Sequence, residues 1–296
     1  MKVEPLFSVL IANYNNGRFL QEAIDSVLEQ TYSNWEVIIV DDKSTDNSFE
    51  IYEKYKDDGR FHVYYNEKNM GCGYTKRRCA ELANGEICGF LDPDDTLMHV
   101  ALRTMVDNHK GNPNSSLVFS LQNRIDANTK AVTKPIPRDL KNSLPLLFHP
   151  YWSHFASFKR FLYNKTEGIN PDFKRAVDDD LYLKLEEVGD VSFVQEALYN
   201  YRVNTGQNIS QNENGSRSYV WHLAAITDAI RRRNLDDDLE SIIAADIDRL
   251  FEELLKDMKE TCADEVRNTK AYRLGRFLLK PFSCIRDLIK RNKRKM

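Results

Sequence analysis

A chain of 296 residues with 42% hydrophobic and 11% aromatic content can bury a full core, which excludes a disordered polypeptide. The net charge of −3 is nearly neutral, but its distribution is not even: residues 267–295 hold eleven Lys or Arg and one acid, about +10, leaving about −13 elsewhere. Phe7 to Ala12 is a short apolar run of strand length, closed by the turn-like Asn13 to Gly17. Phe19, Leu20, Ala23, Ile24, Val27 and Leu28 then recur at helical spacing. Trp35 to Val40 predicts a second strand, ending in Asp41 and Asp42. A helix through Ile51 and Tyr55 follows, with Ser44 or Asp46 as its cap. Phe61 to Tyr65 predicts a third strand, Lys76 to Ala83 a helix, and Ile87 to Leu91 a fourth strand. Strand and helix alternating at this spacing predict an α/β fold with a mostly parallel sheet covered on both faces.

In such sheets a ligand lies beyond the carboxyl ends of the strands. Here those ends carry Asn13 and Asn15, then Asp41 and Asp42, then Asn66 and Asn69, then Asp92, Asp94 and Asp95. The three carboxylates of Leu91-Asp92-Pro93-Asp94-Asp95 repel one another unless a cation lies among them. Hard oxygen ligands without nearby Cys or His suit Mg²⁺ or Mn²⁺. The bland alternative is a solvated acidic turn or helix cap, with Thr96-Leu97 opening a helix.

Ser8 to Asn16 (SVLIANYNN), Ile24 to Tyr32 (IDSVLEQTY) and Val37 to Asp46 (VIIVDDKSTD) resemble the family 2 glycosyltransferases of the GT-A fold. Asn69-Met70-Gly71, Ala83 to Ile87 (ANGEI) and Phe90 to Asp95 (FLDPDD) continue the match in order. The resemblance implies a nucleotide diphosphate-sugar donor, usually a UDP-sugar. It sets Asp41 and Asp42 at the acidic pair near the base, with Asp42 holding it, and Ala12 and Tyr14 at the strand end that frames it. Lys76 matches a basic position near the diphosphate, although Lys76 to Arg78 also fits a solvated helix face. Asp92, Asp94 and Asp95 match the region that holds ribose and metal, with Asp94 or Asp95 as the metal ligand.

Inverting transfer needs a carboxylate that takes the acceptor's hydroxyl proton. Val177 to Leu185 (VDDDLYLKL) resembles the family's E-D-x-D-L-W-L-R-L, which sets Asp178 at the base and Val177 where an acid is common. The same acids also suit a helix N-terminus. Tyr199 to Ser210 resembles Y-Y-R-x-H-x-x-S, where a His often completes the metal site; this chain has Asn204 there. His149 and His154 lack the spacing of a zinc pair. Tyr151, Trp152 and Phe155 fit either core packing or an acceptor-stacking cluster.

The resulting division is 1–110 for nucleotide-sugar binding, 111–210 for acceptor and catalysis, 211–260 for a helical extension and 261–296 for a basic amphipathic tail. Leu274, Phe277, Leu278, Phe282, Ile285, Leu288 and Ile289 lie among basic residues there. Residues 267–295 therefore fit contact with an anionic membrane, or a helix packed on the body. Five cysteines without C-x-x-C, no apolar leader and no apolar run near the ~20 residues of a span predict a cytoplasmic protein, peripheral on the inner face of the cell membrane. A glycan or lipid-linked acceptor is the expected partner, and nothing beyond charge suggests nucleic acid. The competing readings are a nucleotide-sugar-binding protein without transfer activity and a nucleotidyltransferase. The latter lacks a Gly-rich phosphate loop after the first strand, and a processive synthase would carry Q-x-x-R-W, which is absent.

Overall fold

The structure, a computed structural model, describes residues 4–135, 154–205 and 215–234. The chain divides into two compact units, Met1–Asn208 and Ile209–Met296. The first is built on one sheet of nine strands. Strands β1 (Phe7–Asn13), β2 (Trp35–Asp41), β3 (Phe61–Tyr65) and β4 (Ile87–Phe90) are its parallel half, as predicted. The second half adds β5 (Thr96–Leu97), β6 (Ser115–Asp126), β7 (Val132–Thr133), β8 (Ala156–Lys159) and β9 (Asp190–Val203). The spatial order is β3-β2-β1-β4-β8-β6-β9-β5, with β7 beside β6. β8 runs antiparallel between β4 and β6, and β6 pairs parallel with β9, so the sheet continues unbroken past residue 110.

The sheet's two faces explain the nearly continuous apolar strands. Phe7, Val9 and Ile11 of β1 and Val37 and Ile39 of β2 join one core with Leu20, Ile24 and Val27 of helix α1 (Gly17–Leu28). The alternate residues Leu10, Ile38 and Val40 are buried on the other face, where helix α3 (Cys72–Leu82) packs on β1 and β2. Burying a side chain of this size stabilises by roughly 1.5–3 kcal/mol, and Trp35, Val37, Ile38, Ile39 and Val40 of β2 are all placed to contribute.

Several local expectations shift. Helix α2 (Ser48–Tyr52) is short and passes into a 3₁₀ turn, Glu53–Tyr55. Asp46, not Ser44, serves its start, accepting the Ser48 N–H at 3.1 Å. Asp46 also accepts the Gly17 N–H at 2.7 Å, so one carboxylate satisfies the open ends of α1 and α2. Thr96-Leu97 does not open a helix. It is β5, paired with Tyr199 and Asn200 of β9, and helix α4 (Ala101–Gly111) begins four residues later. Helix α5 (Arg160–Tyr163) follows β8, and helix α6 (Val177–Glu186) starts with Asp178, Asp179 and Asp180 in its first turn.

In the second unit, helix α7 (Gly215–Arg233) buries Ala225, Ile226, Ala229 and Ile230 at helical spacing. No helix among the described residues is long and apolar enough to cross a membrane. His149, Tyr151, Trp152, the helical pattern beyond Asn234 and the tail 267–295 lie outside the described residues.

Candidate active site

The parallel register brings the predicted polar strand ends to one edge. Asn13 pairs with Asp41, and Asp41 with Tyr65, across three adjacent strands. Both acids of the pair are buried and extensively hydrogen-bonded. Asp41 accepts from Tyr52 Oη at 2.8 Å, Asn13 Nδ2 at 3.2 Å and the Ser44 N–H at 2.8 Å. Asp42 accepts from Asn66 Nδ2 at 2.7 Å and from the backbone N–H groups of Met70 and Gly71 at 2.8 Å each. Asp42 thereby closes the 66–71 loop and sets the start of α3. Gly71 takes the positive φ of 92° that this turn needs. Ala12 is part-buried at the end of β1, and Tyr14 beyond it is 47% exposed.

Helix α3 then places Lys76. Lys76 is buried while its neighbours Arg77 and Arg78 are not, so the three do not form one solvated face. Its Nζ lies 2.9 Å and 3.1 Å from the two oxygens of Asp178 and 3.2 Å from Asp92 Oδ1, above the Phe90 ring. Burial works against the Lys76 charge, but the two carboxylates hold its pKa well above the ordinary lysine value. For Asp92 burial pushes upward, and the Lys76 ammonium and His154 outweigh it, leaving the pKa lowered. The approach depends on Gly73: a Cβ there would stand 2.5 Å from the Asn170 carbonyl oxygen, on the loop that leads into α6.

The remaining acids of the 92–95 run differ sharply. Asp94 is partly buried, and its carboxyl is pushed up to about 6 by burial and then by the charge of Asp92. Asp95 is 1% exposed; burial, then Asp94 and Asp92, hold its pKa well above the carboxylate range. Its Oδ1 accepts the Arg202 N–H at 2.6 Å, while Oδ2 is enclosed without a hydrogen-bond partner. The Arg202 guanidinium bonds the Asp94 carbonyl at 2.7 Å and Glu22 at 2.7 Å, tying this turn to β9 and α1. Asn204, at positive φ, donates to Asp126 Oδ2 at 2.6 Å. Among the described residues no three His, Cys, Asp or Glu side chains are disposed to enclose a metal.

Other motif residues have structural duties. Glu36, at the opposite end of β2, accepts from Ser8 Oγ at 2.6 Å and from Asn84 N–H at 2.7 Å, which accounts for the Asn84-Gly85 turn before β4. Asp180 pairs with buried Lys184 at 2.8 Å and accepts the Asn170 N–H at 2.9 Å. Phe155 is fully buried against Phe7 and Tyr199 and belongs to the core, not to an acceptor-stacking cluster.

Two side chains at the site have places that the sequence reading did not assign them. His154 Nε2 stands 3.8 Å from Asp178 Oδ2, and its ring lies 5.1 Å from that of Tyr199. Tyr199 Oη in turn accepts the Asp92 N–H at 3.1 Å. The aromatic opening the Tyr199 motif was the available signal for one; His154, weighed only as a zinc partner of His149, carries no local signal that it meets Asp178.

The profile of the family described as glycosyl transferase family 2 matches residues 8–166. The chondroitin synthase of Escherichia coli is 31% identical over 214 residues, 71% of this chain and 30% of that protein. The hyaluronan synthase of Pasteurella multocida is 28% identical over 236 residues, 78% of this chain and 24% of that one. The chain thus spans about a quarter to a third of the length of these relatives. Among solved structures, S. aureus TarS 1–349 matches with a TM-score of 0.66 at 20% identity, covering 88% of this chain and 77% of that one. The same protein in complex with UDP-GlcNAc matches at 0.62 and 23% identity, over 76% and 66%. At such identities the likeness establishes the fold, the GT-A arrangement of a sheet between helices. The profile covers more than half of the sequence and takes in the strand edge, Lys76 and the 92–95 acids. The chain belongs to glycosyl transferase family 2.

Proposed function

We propose that this chain is an inverting glycosyltransferase that moves a sugar from a nucleotide diphosphate donor, a UDP-sugar, to a hydroxyl of a glycan or lipid-linked acceptor. The observation that carries the reading is the Lys76 ammonium lying between Asp92 and Asp178, which joins the end of β4 to the start of α6. In this reading the Asp178 carboxylate takes the proton of the acceptor hydroxyl as its oxygen attacks the anomeric carbon. The bond to the diphosphate breaks on the opposite face, and Lys76 contributes positive charge near the leaving group. Ala12, Tyr14, Asp41 and Asp42 frame the base, and Asp92 the ribose. The UDP-GlcNAc complex of TarS supports a nucleotide-sugar of this kind.

The donor set fits Mn²⁺ or Mg²⁺. Asp94, raised by burial and by the like charge of Asp92, is the carboxylate that a cation would relieve most, while Asp95 also has the Tyr199 hydroxyl beside it. Asp94 would hold the ion, with Asp95 as the second candidate. Magnesium bound by one or two carboxylates ordinarily shares its sphere with substrate phosphates. When bound there, the ion supplies charge to the departing diphosphate. Asn204 would join it only on release from Asp126. The basic tail 267–295 extends the proposal to a cytoplasmic enzyme resting on an anionic membrane surface.

Calorimetry of UDP binding with and without Mn²⁺ tests the reading. Metal-dependent affinity should vanish in Asp94→Ala, and Asp178→Asn should bind UDP yet transfer no sugar. No UDP binding by the unaltered chain under either condition would overturn it.

A further inference from the structure

We infer that His154 is a positioning residue for Asp178, its Nε2–H directed at Oδ2 so that the carboxylate faces the acceptor in one orientation. The inference rests on the transfer reading of this site. Lys76 alone does not orient Asp178: its Nζ meets both oxygens, at 2.9 Å and 3.1 Å, and an ammonium is a point charge with rotatable donors. An imidazole N–H has a fixed direction.

The mount of His154 is rigid. Its backbone N–H bonds Gln122 Oε1 at 3.1 Å, and the next N–H, of Phe155, bonds Ser120 Oγ at 3.0 Å, both on β6. The ring packs on Tyr199, which is itself fully buried. The side chain is 18% exposed, and the Nε2 edge faces Asp178 at 3.8 Å. At 3.8 Å the two groups stand beyond hydrogen-bond length, close enough for the imidazole to act on the carboxylate through its charge and dipole.

The tautomer follows from the other nitrogen. Nδ1 is enclosed and has no hydrogen-bond partner. A proton there would be a buried donor left unmade while the Nε2 lone pair faced a carboxylate. Placing the proton on Nε2 removes both penalties and leaves only an unfilled acceptor. With its proton on Nε2, His154 is a donor toward Asp178. Lys76 contributes charge to the base, and His154 contributes direction.

The test uses the full chain with His154→Phe, which keeps a ring against Tyr199 but no N–H, and His154→Gln, which retains a donor. UDP release from UDP-GlcNAc in the presence of Mn²⁺, with water as acceptor, should show kcat lowered about tenfold in His154→Phe with KM within about twofold of the parent. His154→Gln should recover most of that loss. Long-range ¹H–¹⁵N spectra of histidine-labelled protein should find the His154 proton on Nε2, with that resonance moved by Asp178→Asn. A proton on Nδ1, an unchanged kcat in His154→Phe, or a His154→Gln as slow as His154→Phe would overturn the inference. The spectra decide it even where UDP-GlcNAc is not turned over, and an unaltered chain that binds no UDP counts against the reading of the site instead.

Discussion

Replacing Asp94 by Asn should make the metal-free protein more stable while abolishing its metal-dependent binding of UDP. The folded-state pKa of Asp94 is about 6 against an ordinary 3.8, raised first by burial and then by the Asp92 charge. A raised carboxyl means that the native state holds the proton more tightly than the unfolded chain. Its contribution to stability is therefore complete below pH 3.8 and lost as the pH rises through 6. The shift of about 2 units corresponds to a cost of about 3 kcal/mol once both states are ionised. Asp94 keeps some solvent contact, so this is an upper figure. The neutral amide is free of that cost. The advantage of Asp94→Asn should grow from about 1.5 kcal/mol at pH 5 to about 3 kcal/mol at pH 8. Urea unfolding in the presence of a chelator at several pH values measures it. An Asp94→Asn protein no more stable than its parent at pH 8, or an advantage that ignores pH, would refute the argument that this carboxyl is held against its own electrostatics.

Lys76→Met removes the cation that Asp92 and Asp178 share, leaving two carboxylates whose side chains are 30% and 26% exposed. Breaking a fully buried pair costs roughly 3–5 kcal/mol, so about 2 kcal/mol is expected here, with weaker UDP binding; thermal unfolding with calorimetry checks both. His109 on α4 is buried, with Nε2 3.1 Å from Ser157 Oγ, and burial followed by the Lys159 charge lowers its pKa to about 3. The unfolded chain therefore takes up a proton below pH 6.5 that the native state refuses, and stability falls as the pH falls. Between pH 7 and pH 5 this group alone should remove about 2 kcal/mol. His109→Gln should lack that part of the slope, and an unchanged slope would show that other groups carry it.

The strand edge was legible because its signals are local. Short apolar runs, each closed by polar residues, set Asn13, Asp41, Asn66 and Asp92 at one edge of the sheet. The second half was less legible. β5 is two residues long and exists only because β9 lies beside it, so Thr96-Leu97 carries a strand that its own sequence does not announce. The acids at 178–180 illustrate the same limit within one turn. Asp178 faces Lys76, whereas Asp180 is closed into a pair with Lys184, a split set by helix rotation and by what α6 packs against.

By itself, then, the sequence carried the resemblance to the family in its motifs, and it determined the α/β class and the oxygen-bearing residues at the strand ends because apolar runs and turn chemistry act over a few residues. Only the tertiary structure decided how those groups divide their work. Lys76 and Asp178 are 102 positions apart, and the Arg202 N–H reaches Asp95 across 107. Which carboxylate receives a cation, which is closed off and which meets an imidazole depends on burial and on distances of a few ångströms. Charge interactions strengthen steeply as water is excluded, and no local pattern encodes that exclusion.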